Sequence, residues 1–134
     1  MLALDTSAIF AILSAEPEED VFLKLLTTEG VLVGAPTLVE TRMVLESHAP
    51  GRAKDMLDRF VARRSITIVP FDAAMFEAAS EAFVRFGKGR GHPAKLNLGD
   101  CLTYAVAKVH ALPLLFKGND FVHTDLVPAY RPAA

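Results

Sequence analysis

The stretch that decides the fold is Met1-Leu2-Ala3-Leu4-Asp5-Thr6-Ser7-Ala8, an apolar run that ends in an acid and two hydroxyl residues. A short run of continuous apolar residues is typical of a buried parallel strand, and the pattern after it is typical of a helix. The run lacks the positively charged start of a signal peptide, and Asp5 interrupts it. We therefore predict a first strand at residues 2–4 with a carboxylate at its C-terminal end.

Three further acids stand after apolar runs or at the start of helical patterns. They are Glu40 in the segment after residues 31–33, Asp100 at the opening of the helical pattern 98–110, and Asp120 after residues 113–116. The C-terminal ends of parallel strands share one edge of a sheet, where open α/β folds bind their ligands. Carboxylates gathered there would repel one another unless a cation neutralised them, and oxygen ligands of this kind suit Mg²⁺ or Mn²⁺ rather than zinc.

The rest of the chain alternates β-type runs with helical patterns, which predicts an α/β fold with a parallel sheet. The predicted strands are residues 2–4, 31–33, 66–69 and 113–116, with a short fifth at 126–127. The predicted helices are residues 8–14, 16–28, 36–49, 52–63, 72–86 and 98–110. No repeat or linker interrupts this alternation, so we expect a single domain over residues 1–134.

The composition agrees with such a domain. Of the 134 residues, 51% are hydrophobic and 22% are charged, which is enough apolar material for a core. The single cysteine, Cys101, excludes an internal disulfide framework, and the four histidines show no zinc-binding spacing. No stretch approaches the ~20 apolar residues that cross a membrane, so we expect a cytoplasmic protein. The formal net charge of −2 argues neither for nor against nucleic acid.

Each of the four acids also has a structural explanation. Asp5 fits an N-terminal cap, and Thr37-Leu38-Val39-Glu40 fits the S/T-x-x-E capping box. Asp100 lies in a first helical turn, where negative charge is favourable, and Asp120 follows the turn sequence Gly118-Asn119. Taken together, however, acids that follow separate apolar runs favour a metal-binding carboxylate site over four unrelated caps and turns.

At these residues the chain resembles the PIN-domain ribonucleases, and most closely the VapC toxins of bacterial VapBC toxin–antitoxin pairs. The matching pieces, in chain order, are Leu4-Asp5-Thr6-Ser7-Ala8, Glu40, Leu98-Gly99-Asp100-Cys101-Leu102 with Tyr104-Ala105, and Gly118-Asn119-Asp120-Phe121 with Thr124-Asp125. No single piece is specific, but the ordered set covers nearly the whole chain. The resemblance implies a PIN-like three-layer fold, in which helices flank a central parallel sheet of four to five strands.

The resemblance also implies an activity, a cofactor and partners. The activity is that of an endoribonuclease toxin that uses Mg²⁺, or alternatively Mn²⁺. The partners are an RNA substrate, a second copy of the chain in a homodimer, and a cognate antitoxin that occupies a groove and blocks the acidic pocket.

Functional residues carry over by motif match. Asp5, Glu40, Asp100 and Asp120 carry over as the catalytic, metal-binding acids, and we expect Asp5, Asp100 and Asp120 to be the direct metal ligands. Thr6 and Thr124 would support the site by hydrogen bonds, and Asp125 would share or replace the role of Asp120. No histidine stands among the matching pieces to act as a general base. We therefore expect a metal-activated water to attack the phosphodiester in line, with Glu40 acting through water or as the general base.

A basic loop precedes Asp100 and suggests where RNA would bind. Between Glu81 and Asp100 there is no acid, while the segment carries four cations: Arg85, Lys88, Arg90 and Lys95. Its glycines would let the backbone approach a phosphate closely. We expect Lys88, Arg90 and Lys95 to bind RNA, although a mobile solvated loop would show the same composition.

Three other functions stay open at this point. A small-molecule phosphatase could use Asp5 as its nucleophile, but the second aspartate expected two residues later is replaced by Ser7. A receiver-like phosphoacceptor domain also gathers acids and Mg²⁺ at strand ends. Such domains carry a lysine after one of their strands, and in this chain Lys117 follows the fourth predicted strand. The second acid of such domains is missing, because Thr6 and Ser7 follow Asp5. A non-catalytic RNA-binding module would bind RNA without metal-dependent turnover.

Overall fold

A computed structural model describes residues 1–132 as alternating strands and helices. In chain order the elements are β1 (Leu2–Leu4), α1 (Thr6–Leu13), α2 (Glu19–Glu29), β2 (Val31–Gly34), α3 (Ala35–His48), α4 (Ala53–Val61), β3 (Ile66–Val69), α5 (Ala73–Phe86), α6 (Leu98–Val109) and β4 (Leu114–Leu115). The alternation predicted from the sequence is confirmed. The first helix begins at Thr6 rather than at residue 8, because Asp5 is its N-cap.

The strands form one parallel sheet in the order β3-β2-β1-β4. In this sheet Leu2 lies beside Val31, and Leu4 lies beside Leu115. Every residue of the two central strands, β1 and β2, is buried, which explains their continuous apolar sequence. Because all the strands run in the same direction, their C-terminal ends meet at one edge of the sheet.

The predicted fifth strand at residues 126–127 does not form. Leu114 instead makes an isolated parallel bridge to Pro128, with hydrogen bonds from Leu114 N–H to the Val127 carbonyl (2.9 Å) and from Ala129 N–H to the Leu114 carbonyl (2.8 Å). Both bonds come from the residues on either side of Pro128, so the proline occupies a position where no N–H is needed. The pairing stops at this single bridge and does not continue into a ladder. The sheet of the described chain therefore has four strands, the lower of the two numbers expected.

Two apolar clusters cover the two faces of the sheet. Leu2 and Leu4 belong to the cluster that is built mainly from α1 to α4, whereas Ala3 belongs to the cluster of α5 and α6. This alternation follows from the strand itself, since successive side chains point to opposite faces. The three-layer arrangement is therefore confirmed. None of the helices in residues 1–132 has the length and apolarity to cross a membrane.

Candidate active site

Asp5 lies at the C-terminal end of β1 and caps α1. Its Oδ2 accepts hydrogen bonds from the backbone N–H (3.0 Å) and the hydroxyl (2.6 Å) of Ser7. Ser7 Oγ in turn accepts the backbone N–H of Lys117 (3.0 Å), just beyond β4, and so joins the ends of two neighbouring strands. The other oxygen of Asp5, Oδ1, is buried and meets no donor at hydrogen-bonding geometry in residues 1–132, although the nearby Thr103 hydroxyl is close enough to lower the pKa of Asp5. A buried carboxylate oxygen without a partner is costly, so the capping role leaves one oxygen that a cation would satisfy.

Glu40 does not form the capping box that its sequence allows. The N-cap of α3 is Gly34, which has no side chain with which to cap the helix. Glu40 Oε1 instead accepts a hydrogen bond from the Thr6 hydroxyl (2.6 Å). The Glu40 carboxylate also lies directly against Gly99 at the start of α6, so close that a β-carbon on residue 99 would overlap it. These contacts hold Glu40 at the same edge of the sheet as Asp5.

Asp100 has both a structural and an electrostatic role. It forms a capping box with Asn97, in which Asn97 Oδ1 accepts the Asp100 N–H (2.8 Å) and Asp100 Oδ2 accepts the Asn97 N–H (3.1 Å). Burial first, and then the charges of Asp120, Asp5 and Glu40, nevertheless raise the pKa of Asp100 to about 7, against the lowering effect of that hydrogen bond. A helix cap alone would not explain three negatively charged neighbours.

The structure thus brings the four predicted acids together at one edge of the sheet. Asp5 and Asp100 are buried, Glu40 is half-buried and Asp120 is exposed. Burial also raises the pKa of Asp5, and the charge of Glu40 adds to that rise. A divalent cation at this edge would relieve the repulsion that these shifts express.

The acids do not by themselves form a closed metal site. Within the described residues, no three His, Cys, Asp or Glu side chains are arranged to hold a metal ion. Mg²⁺ commonly binds one or two carboxylates and keeps several waters. The all-oxygen cluster, with the unpartnered Oδ1 of Asp5 in it, fits that mode. Simultaneous direct ligation by Asp5, Asp100 and Asp120 stays a prediction.

The two threonines that were predicted to support the site have different contacts. Thr6 donates to Glu40 and accepts a hydrogen bond from the Thr41 hydroxyl (3.1 Å), so it orients an acid of the cluster. Thr124 donates to the carbonyl of Phe121 (2.8 Å) and thereby closes a turn. Its hydroxyl stabilises the loop that follows Asp120 rather than a carboxylate.

Asp125 is not placed to share or replace the role of Asp120. Its Oδ1 accepts the hydroxyl of Tyr104 (2.7 Å), and its Oδ2 accepts the ammonium of Lys108 (2.7 Å). These hydrogen bonds lower the pKa of Asp125, although partial burial opposes them. Both oxygens are therefore engaged on the side of α6, and the substitution of Asp120 by Asp125 that the motif suggested is not supported.

The basic loop between α5 and α6 has an ordered base. Lys88 N–H donates to the Leu96 carbonyl (2.9 Å), and Leu96 N–H donates to the Phe86 carbonyl (2.9 Å). Lys88, Arg90 and Lys95 are all exposed. The loop ends at Asn97, the residue that caps α6 and stands three positions before Asp100.

Sequence reasoning missed two positioning residues and an apolar groove. Ser7 and Gly99 stand in the matching motif pieces, each within two residues of an acid, but neither was assigned a role. The groove is a cavity of about 730 Å³ beside Glu40, between α3 and the start of α6. It is bordered by apolar side chains that are 60–75% exposed: Val39, Met43 and Leu98. Val39 and Met43 are four residues apart and share one helix face.

Comparison with known sequences agrees with this geometry. A sequence model of the PIN domain matches residues 2–126. The chain belongs to the PIN-domain family. This PIN domain is 38% identical to Ribonuclease VapC42 of Mycobacterium tuberculosis over 129 residues, which cover 96% of this chain and 98% of that protein. It therefore falls among the VapC ribonucleases, and the resemblance read from the ordered motifs is confirmed.

Solved structures share the fold. The crystal structure of Mycobacterium tuberculosis VapC20, described as a sarcin-ricin loop cleaving toxin, has a TM-score of 0.78 at 19% identity and covers 98% of this chain and 100% of that chain. A toxin–antitoxin complex from Klebsiella pneumoniae has a TM-score of 0.71 at 17% identity, and the match covers 98% of this chain and 100% of that chain. These similarities confirm the PIN-like architecture.

Proposed function

We propose that this PIN domain is a metal-dependent endoribonuclease of the toxin type. One observation carries the proposal: buried Asp5 and Asp100 meet Glu40 and Asp120 at one sheet edge, and the pKa of Asp100 is raised by burial and by the charges of the other three. Like charges in a partly buried cluster oppose folding, so these acids do not serve to stabilise the metal-free protein. A bound cation explains the cluster better. Membership among the VapC ribonucleases supports RNA as the substrate.

The residues divide the work according to their contacts. Asp5 and Asp100 would hold Mg²⁺, or alternatively Mn²⁺, and Asp120 would complete the set directly or through water. When bound, such a cation supplies an activated water and stabilises the leaving oxygen of the phosphodiester. Glu40, whose Oε1 is held by Thr6 (2.6 Å), would orient the attacking water or take its proton.

The receiver-like alternative is not favoured. Lys117 would have to face the acids, but its ammonium is paired with Glu16 (3.2 Å) and Glu18 (3.1 Å). A non-catalytic RNA-binding module would bind RNA as a nuclease does but would not cleave it. The decisive experiment therefore measures RNA cleavage.

We expect purified protein to cleave single-stranded RNA in Mg²⁺ or Mn²⁺ and to stop when a chelator is added. Asp5→Ala should remove the activity as fully as the chelator, because it deletes the only buried carboxylate oxygen of the cluster that lacks a partner among the described residues. Cleavage is followed by gel electrophoresis of end-labelled RNA. Turnover that survives both treatments would rule out the proposed mechanism, and RNA binding without turnover would favour the non-catalytic module.

The basic loop is proposed to hold the RNA strand beside the acids. Arg90→Ala combined with Lys95→Ala should weaken RNA binding, because two exposed cations that contact phosphate are lost. The slope of log affinity against log salt should flatten by about 0.7 for each lost contact with single-stranded RNA. Binding is measured by fluorescence anisotropy in chelator over a salt series.

The matched control for the loop is Arg63→Ala combined with Arg64→Ala. It removes the same charge from two exposed residues that follow α4. If the control variant loses as much affinity and slope as the loop variant, net charge rather than the loop explains binding.

We also propose a protein partner, the cognate antitoxin, at the apolar groove beside Glu40. A segment of antitoxin seated there would cover Glu40 and so explain inhibition of the nuclease. Met43→Glu should weaken inhibition by the co-expressed antitoxin, because it puts a charge into an apolar contact. Val127→Glu, at an exposed position outside the groove, is the control. Equal inhibition of the Met43 variant and the wild type would remove the groove from the proposal.

The homodimer stays a prediction, which the mass of the protein in solution would check.

A further inference from the structure

Asp125 is the centre of a polar cluster on the side of α6 that faces the C-terminal segment. Tyr104 Oη and Lys108 Nζ each donate to it at 2.7 Å, and Arg85 Nη1 lies 3.6 Å from its Oδ2. Partial burial makes these charge-assisted hydrogen bonds stronger than exposed ones. Neither the metal site nor the RNA-binding loop accounts for the cluster.

The cluster connects the two chain segments that carry Asp100 and Asp120. Tyr104 lies one turn after Asp100 on α6, and Asp125 lies five residues after Asp120. The chain between Asp120 and Asp125 has little freedom, because Phe121 is buried in the core and the next residues close a turn on its carbonyl. Fixing Asp125 to α6 therefore fixes where Asp120 stands relative to Asp100.

We propose that Asp125 is a positioning residue that anchors the Asp120 segment to α6 through Tyr104 and Lys108. Its task is to hold Asp120, which is exposed and has no regular secondary structure, within reach of the cation that Asp100 binds. The inference rests on the proposed function, since it assigns a support to that metal site. Residues that orient metal ligands commonly change metal affinity by about 10–100-fold when they are replaced.

The test compares Asp125→Ala and Asp125→Asn with wild type. In the metal-free protein, we expect Asp125→Ala to speed hydrogen exchange of the amides in residues 118–124 and to leave the amides of β1 and β2 unchanged. Mn²⁺ binding, followed by electron paramagnetic resonance, should weaken by about tenfold or more. Asp125→Asn keeps an acceptor for Tyr104, so it should recover part of the Mn²⁺ affinity that Asp125→Ala loses. Excess Mn²⁺ should restore RNA cleavage by Asp125→Ala.

Asp55→Ala is the control, because it breaks an exposed ion pair with Arg59 (3.1 Å) on α4 and should change none of these readouts. If Asp125→Ala binds Mn²⁺ as the wild type does, or exchanges no faster at residues 118–124, the anchor is refuted and the nuclease is untouched. If the wild type binds Mn²⁺ but cleaves no RNA, the proposed function falls while the anchor is judged on binding. A wild type that binds no Mn²⁺ would refute both.

Discussion

Asp100→Asn is expected to abolish metal-dependent RNA cleavage while leaving the metal-free fold intact. The substitution removes the charge of an acid whose pKa the charges of the other three acids raise. A bound cation would then lose one of the two buried carboxylates of the cluster. We expect a loss of at least about 10²–10³-fold in rate, the scale of removing one group that stabilises transition-state charge. Cleavage of end-labelled RNA at saturating Mn²⁺ measures it.

The same substitution should make the metal-free protein equally or more stable. In the folded protein the pKa of Asp100 is raised from the ordinary 3.8 to about 7. Between those values the folded state keeps a proton that the unfolded chain has lost, so the free energy of unfolding falls as the pH rises through that window. Asparagine is neutral throughout, and its amide oxygen can still accept the Asn97 N–H. The variant should therefore lack this pH dependence and gain stability above the window.

Asp100→Ala is the matched control, because it removes the acceptor of the capping box as well as the charge. It should lose cleavage in the same way but cost about 1 kcal/mol of cap stability relative to Asp100→Asn. Urea unfolding over a pH series, with and without Mn²⁺, separates these contributions. Retained cleavage together with reduced stability in Asp100→Asn would mean that Asp100 serves the helix terminus alone.

Local patterns were sufficient to predict most of the architecture. The apolar runs predicted the strands because β1 and β2 are buried on both faces, which removes the alternation seen in exposed strands. Asp5 was predicted as a cap and as a site residue, and it is an N-cap whose second oxygen has no partner within residues 1–132. Residues 126–127 show the limit: this apolar pair looked like a strand, yet the segment joins the sheet only through the isolated bridge of Pro128.

The contacts that organise the site lie between residues far apart in the chain, and for that reason the sequence did not reveal them. Thr6 reaches Glu40 across 34 positions, and the capping-box pattern at Glu40 predicted a local bond that does not form. Asp125 matched a motif, but only the structure shows that Tyr104 and Lys108 occupy its oxygens. A motif identifies which residues are acids; the tertiary fold decides which acid is free to bind a cation.

Replacing Gly99 should also have a large effect on RNA cleavage, because the missing side chain of this residue makes room for Glu40. A β-carbon on residue 99 would overlap the Glu40 carboxylate, and the Thr6 hydroxyl holds that carboxylate from the other side (2.6 Å). Gly99→Ala should therefore push Glu40 out of place and lower RNA cleavage about as far as Glu40→Ala does. An alanine in a helix would otherwise stabilise it by up to about 1 kcal/mol, so a net loss of stability would reflect the clash.

A double-mutant cycle isolates this effect. With Glu40 already replaced by alanine, the space beside residue 99 is free, and adding Gly99→Ala should neither reduce cleavage further nor destabilise the protein. In the protein that keeps Glu40, the same change should cost about 1.5–3 kcal/mol, the range for a hydrogen bond to a charged group, because the displaced carboxylate loses its bond to Thr6. The coupling energy from urea unfolding of the four proteins measures the contact directly. Equal costs in the two backgrounds would show that Gly99 and Glu40 act independently, and that α6 does not position the acid of α3.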